Sequence, residues 1–420
     1  MHEKKKHSIL NKIVGIIENT PKNFSKNDYG NWRCLERRGI IFDLAGDSLD
    51  TYNDVLRDIL NQERWGEKFS EKYVDKILKN LLFDIIEFGT DIAKENFDSI
   101  CYDAESYSTE QVVYVPLGGI SMYGVEELNL GRIQFKKITR VILEEILEAT
   151  RAILKTTKVS FEEQQLFIEE TEEDLSEKFL DKVCATCRVI AEPKRAQELA
   201  EQETQRALDL LRCSIPVLYK SQENIKIDLL PQVPSSFQST LVLSSSGYVL
   251  DRTRLNRNYE LSPANLEVLE KIGVFEVSKI LQKSYTDLND YEKTLLRGIH
   301  WFASSQTQVE IENEFLNLIT CLETFFTREK GEPISNSIAE GIAFVLAKDL
   351  TKRKKIKQRI KCLHGMRSEV SHGGHSNILN KDIQELRSIA TNLLIKMIEK
   401  QSTFTSRSDL LNWLEDQKLS

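Results

Sequence analysis

In the run MRSEVSHGG, residues 366–374, Arg367 and His372 stand with four residues between them, and Gly373 and Gly374 follow. On a helix this spacing is about 140° around the axis and a little over one turn along it, so the two side chains occupy neighbouring faces. The glycines predict a helix stop, which puts His372 in the last turn, where the helix dipole favours the imidazolium and raises its pKa towards neutrality or above. The chemistry that uses such a pair is transesterification of an RNA phosphodiester. A histidine titrating near neutral pH can take the 2′-hydroxyl proton or protonate the leaving 5′-oxygen, and an arginine can grip the phosphoryl oxygens as charge builds. One histidine does not readily act as base and acid together, so a two-fold dimer supplying two such helix ends would complete the site. No metal or other cofactor is needed, and no carboxylate cluster is nearby. The competing reading is a surface arginine and a helix-capping histidine.

The run TKRKKIKQRIK lies just upstream and holds Lys352, Arg353, Lys354, Lys355, Lys357, Arg359 and Lys361. It is a candidate RNA-binding surface, or else an ordinary solvated helix face. The elements that must position these residues are helical. From about residue 290 the apolar residues recur at helical spacing: Ile311, Phe315, Leu318, Leu322 and Phe325; then Ile338, Ile342 and Val345; then Ile356, Ile360, Leu363, Met366 and Val370; then Ile383, Leu386, Ala390, Leu393 and Met397. Asp382 and Glu385 have capping-box spacing. Helices with short loops predict an antiparallel bundle over 290–400, followed by a tail helix within 401–420.

Upstream, residues 1–105 read as mainly helical, with Val74, Ile77, Leu81, Ile85 and Phe88 on one face. Residues 106–289 read as an α+β middle region, with strands in QVVYVP and VEELNLGRIQF, a helix near 137–158, a long helix near 193–213, and further strands in IPVLYK, IKIDLL, STLVLSS and GYVLDRTRL. Gly118, Gly119, Gly124 and Gly131 lack phosphate-loop spacing and read as turn residues. The acidic stretch 161–179 reads as a solvated helix or connector. The class is thus α+β, mainly α.

At 420 residues the chain has room for more than one domain, and a net charge of −8 leaves any polyanion to be met by a local patch. Seven scattered cysteines point to reduced thiols; only Cys184 and Cys187 have metal or redox spacing, and with no second ligand pair they read as thiols on helical turns. The N-terminal stretch predicts an amphipathic helix without a signal-peptide pattern, and no apolar run is long enough for a bilayer, so a cytoplasmic protein without a membrane partner is expected.

The segments LLRGIHWFASS, FLNLITCLETFF and IAEGIAFVLAKDLTKRKKIKQRIKCLHGMRSEVSHGG together resemble the Apea-like branch of the HEPN superfamily over about 110 residues. Those domains are helical bundles with a helix of the form aLE-aromatic, then an arginine followed after several residues by His-Gly. The resemblance implies a HEPN-type antiparallel bundle at 290–400, a homodimer through it, and Arg367 and His372 as the RNase pair. It also implies a toxin-like or antiviral role, with an N-terminal region open to an activator or phage-derived trigger. Glu323 matches the family's helix glutamate and is expected to orient the pair. Ser368 departs from the Asn, Asp or His that nuclease members tend to place after the arginine. His364, one turn before the motif, and His375, past the glycines, are candidate RNA contacts; His300 reads as structural. The leading expectation is a metal-independent endoribonuclease, the alternative a non-catalytic HEPN module for RNA binding or protein interaction. A nucleotide-binding or nucleotidyl-transfer protein is a third class, without a glycine loop or carboxylate pair to support it.

Overall fold

The structure, a computed structural model, describes residues 3–20, 31–156, 159–219, 225–230, 237–244, 247–254, 257–327, 334–373 and 378–419. It is α+β and mainly helical, and it divides into two compact units, Met1–Val113 with Arg188–Glu201, and Tyr114–Cys187 with Gln202–Ser420. No helix among the described residues is long and apolar enough to cross a membrane.

The first unit opens with α1 (Glu3–Asn19), whose Ile9, Leu10, Ile13 and Ile16 are buried as its amphipathic pattern predicts. A hairpin of β1 (Trp32–Arg37) and β2 (Ile40–Ala45) follows. Its turn residues Arg38 and Gly39 both have positive φ, 50° and 81°, the geometry that matches strand twist in a two-residue turn. The mainly helical reading of 1–105 misses this hairpin, because arginine is a poor marker of a left-handed position. Then come α2 (Asp47–Leu60), α3 (Glu63–Lys68), α4 (Glu71–Phe88) and α5 (Thr90–Tyr107). Val74, Ile77 and Leu81 of α4 are buried, but Phe88, at its end, is 48% exposed.

The β-rich stretch contains β3 (Glu110–Gly118), β4 (Ile120–Met122), β5 (Glu127–Leu130) and β6 (Ile133–Lys137), with Gly119, Gly124 and Gly131 at positive φ in the turns. After α6 (Arg140–Leu154) and the acidic, largely exposed α7 (Phe161–Phe179) comes β7 (Val183–Ile190). This corrects the helical reading of Cys184 and Cys187. Residues 183–187 are all buried, so the strand lacks the in–out alternation that would have revealed it. The five-stranded sheet has the order β5-β6-β7-β3-β8.

Helix α8 (Pro193–Leu218) runs further than the expected 193–213, so IPVL of IPVLYK is helix, not strand. Pro216 falls in its last turn, where a missing N–H costs a single hydrogen bond near the helix end. IKIDLL shrinks to β8 (Asp228–Leu229), while β9 (Phe237–Ser244) and β10 (Gly247–Arg254) form an antiparallel pair, and β11 (Tyr259–Leu261) lies parallel to β4. Two short helices follow that the sequence reading did not anticipate, α9 (Pro263–Lys271) and α10 (Val274–Leu281).

The C-terminal region is α11 (Asp290–Thr307), α12 (Ile311–Phe326), α13 (Ile334–Leu346), α14 (Leu350–Gly373), α15 (Asn380–Glu399) and α16 (Arg407–Leu419). Helix α12 packs against α11, α13, α14 and α15. Its Phe315, Leu318, Leu322 and Phe325 are buried, as are Ile338 and Ile342 of α13, Ile360 and Leu363 of α14, and Ile383, Leu386, Ala390, Leu393 and Met397 of α15. Helix α15 begins at Asn380, so Asp382 is its third residue, where its carboxylate accepts from the Leu379 N–H at 3.0 Å. Glu385 does not complete a capping box with it; it pairs with Arg359 instead.

Two glycines set how close the helices come. A Cβ on Gly298 would lie 2.4 Å from Phe325 Cζ, and one on Gly341 would lie 2.5 Å from Phe326 Cδ1, and both rings are buried. Neither ring can retreat without moving a packed neighbour. Gly298→Ala and Gly341→Ala should therefore each destabilise the protein by about 1–3 kcal/mol. Urea unfolding checks this, and an unchanged midpoint in both variants would refute the close packing.

Candidate functional site

The site is built where α14 crosses α12. Glu323, in the last turn of α12, keeps only 14% of its side chain exposed, and its Oε1 lies 3.0 Å from His364 Nε2 and 3.2 Å from Arg367 Nη1. A carboxylate can only accept, so the Nε2 of His364 bears the proton in this contact. His364 and Arg367 are one turn apart on α14, which is why one oxygen can serve both. Arg367 keeps 42% of its side chain exposed, so its guanidinium is anchored on one side and open to a ligand on the other. The expected orienting glutamate is thus in contact with Arg367, and with a second residue, His364, that had been read only as a candidate RNA contact.

Positions 367 and 372 share one unbroken helix that ends at Gly373. The side chain of His372 lies outside the described residues, as does His375.

The basic run on α14 divides in two. Arg353 donates to the Ala347 carbonyl at 2.9 Å and lies 4.1 Å from the Phe344 ring centroid. Lys357 pairs with Glu340, and Arg359 binds Asp382 and Glu385 at once. These three hold α14 to its neighbours. Lys352 is highly exposed and only 3.6 Å from Asp349, while Lys354, Lys355 and Lys361 are exposed and, among the described residues, lack a carboxylate partner. Those four are the cations open to a polyanion.

The paired thiols form no chelate: residues three apart on a strand point to opposite faces. Burial pushes the Cys184 thiol up to about 12 and that of Cys187 to about 11, far from the thiolate that binds metal. Among the described residues no three His, Cys, Asp or Glu side chains gather as metal ligands.

Sequence reasoning missed one polar constellation altogether. His300, read as structural, keeps 61% of its side chain exposed, and its Nδ1 lies 2.9 Å from Asp209 Oδ2. Asp209 in turn is bound through Oδ1 to the buried Arg212 at 2.9 Å. The signal available was Asp209 and Arg212 at helical spacing on α8, but their partner lies 91 residues further along the chain.

The Asp382 carboxyl is opposed by burial, yet the Arg359 hydrogen bond and the Leu379 N–H outweigh it and hold it below the usual carboxylate range. A depressed folded pKa means stability that is present above the unfolded value of about 4 and is lost as pH falls below it. Arg359→Leu should cost about 1–3 kcal/mol near neutral pH by stranding Asp382, and the deficit should shrink below about pH 4. Chemical denaturation at both pH values measures this; a deficit independent of pH would rule the pairing out. Comparison with protein-family models, with curated proteins and with solved structures finds no match for this chain.

Proposed function

We propose that this chain is a metal-independent endoribonuclease of the HEPN type, its C-terminal helices forming the bundle and two copies joining to make one site. The observation that carries this reading is the contact between Glu323 and Arg367, which fixes a half-open guanidinium on the helix that also contains position 372. In the reaction the 2′-oxygen attacks phosphorus while one His372 imidazole takes its proton. The bond to the 5′-oxygen breaks as a second His372, from the other copy, donates a proton to it. The products are a 2′,3′-cyclic phosphate and a 5′-hydroxyl. The nucleophile belongs to the substrate, so no metal-bound water has to be generated. Arg367 binds the non-bridging oxygens, and its anchoring to Glu323 lowers the entropy lost when it does so. The residues ahead of the bundle act as the part that senses a trigger and restrains cleavage, in a defensive or toxin-like role.

Arg367→Ala and His372→Ala should each lower RNA cleavage by about a hundredfold or more, with circular dichroism and melting temperature nearly unchanged, and chelators should not inhibit the parent. No cleavage by the parent under any condition that both variants share, together with unchanged RNA binding, would instead support a non-catalytic RNA-binding module. Binding separates the two classes of cation: Lys354→Ala and Lys361→Ala should each reduce the salt dependence of single-stranded RNA affinity by about 0.7 in log–log slope, whereas Arg359→Leu should leave the slope unchanged. Equal effects of all three would show that the division of the basic run is wrong.

A further inference from the structure

Away from Glu323, the face of α11 that carries Lys293, Arg297 and His300 at successive turns lines a cavity of about 250 Å³. Its floor is apolar, including Leu210 of α8, Leu281 of α10 and Leu296 of α11; Tyr285 and the Asp209 carboxylate also line it, as do Arg206 and Lys283, which are already paired with Glu203 and Glu292. In a chain of net charge −8, Lys293, Arg297 and His300 place three basic groups along one edge of an apolar floor. Among the described residues neither Lys293 nor Arg297 has a carboxylate partner; Lys293 instead lies 5.0 Å from the Tyr285 ring centroid. Arg297 is exposed.

The second observation is the apparatus behind His300. Arg212, 4% exposed, donates to the Ile227 carbonyl through Nε and Nη2, at 3.1 and 2.8 Å, and to Asp209 at 2.9 Å. Burying an ion pair costs desolvation that its Coulomb attraction rarely exceeds, so such a pair is a poor source of stability. Here it fixes a carboxylate whose other oxygen holds the Nδ1 of a mainly exposed histidine at the cavity. That carboxylate also raises the imidazole pKa above its ordinary value, against the opposing effect of burial.

We infer that this cavity is a binding site for a nucleoside phosphate, with the base on the apolar floor beside Tyr285 and the phosphate met by Arg297, Lys293 and His300. The apolar floor disfavours a sugar phosphate, which would leave hydroxyls unpaired there, and Lys293 and Arg297, without carboxylate partners among the described residues, disfavour a neutral ligand. A planar guanidinium suits both phosphate oxygens and a stacked base. At about 250 Å³ the cavity falls just below the roughly 300 Å³ at which ligand sites usually begin, which matches a base held inside with its phosphate left at the open cationic rim. The inference does not rest on the nuclease reading, because the cavity shares no residue with Glu323, His364 or Arg367.

Isothermal titration of the full-length protein with AMP and ATP tests it, with inorganic phosphate, ribose 5-phosphate and decanoate as comparison probes. Saturable binding of AMP or ATP is expected, about tenfold or more tighter than any comparison probe, and Arg297→Glu and His300→Gln should each weaken it by about tenfold. Among the described residues Arg297 has no carboxylate contact to lose, so its variant should melt at the parent temperature. Three results would overturn the assignment: no saturable nucleotide binding, equal or tighter binding of decanoate or ribose 5-phosphate, or nucleotide affinity unchanged in a folded Arg297→Glu.

Discussion

Helix α12 is placed by steric contact before any charge on it matters. Phe325 and Phe326 rest on Gly298 and Gly341, positions where even a methyl group would collide with a ring. Close packing of this kind leaves the helix little freedom to slide or turn, because a shift of an ångström opens a gap on one side and a clash on the other. Glu323 lies two residues before that aromatic pair, so the position of its carboxylate is inherited from the packing. A carboxylate that is mostly withdrawn from water must then find cationic or hydrogen-bonding partners, and His364 and Arg367 of α14 supply them. The order of causes therefore runs from glycine and phenylalanine, through one buried acid, to the direction of one guanidinium.

The same logic separates the cations along α14. Where the helix meets neighbours, at Arg353, Lys357 and Arg359, each charged group is committed to a carbonyl, a ring or a carboxylate. Moving Arg359 onto a nucleic acid would strand the buried Asp382, and moving Lys357 would leave Glu340 with Lys418 as its ion-pair partner. Where the helix faces water, at Lys352, Lys354, Lys355 and Lys361, the charges are held, among the described residues, by nothing stronger than an exposed contact to Asp349. A polyanion would compete there with solvent and counterions alone. The density of lysine and arginine in the sequence thus overstates the charge that is free to bind.

The C-terminal helices were legible because their apolar residues recur at a helical period and most of the stripe is buried: Leu318, Leu322, Leu363 and Leu386 are where the period puts them. The association of Glu323 with Arg367 was expected from the family resemblance alone, through the CLETFF segment and the arginine–histidine spacing; periodicity by itself does not connect the two helices. What stayed hidden was set by tertiary context. Val183–Cys187 is buried on both faces, so periodicity could not tell strand from helix. The β1–β2 turn uses Arg38 where an asparagine would have announced it. IPVLYK reads as strand, yet its first four residues continue α8, with Pro216 in the final turn, where the helix tolerates it. The link from His300 to Asp209 joins helices far apart in sequence, and no local rule connects them.

Two places in the second unit share a design that explains which polar residues can act on a ligand. At Glu323 and at Asp209 a largely buried carboxylate is fixed first, by helix packing in one case and by the buried Arg212 in the other, and only then engages a side chain that reaches solvent. A long or titratable side chain free in water spends its attraction for an anion on becoming ordered; arginine forfeits up to about 2 kcal/mol of rotamer entropy in doing so. Anchoring Arg367 and His300 on carboxylates moves part of that loss from the binding step into folding, where the packing of α12 and α8 can absorb it. The carboxylate also offsets some of the attraction it prepares, so the arrangement suits an anion whose charge is concentrated or grows during reaction more than one that is diffuse. Phosphate groups have charge of that kind, which is the physical reason for proposing a scissile phosphodiester at one place and a nucleoside phosphate at the other.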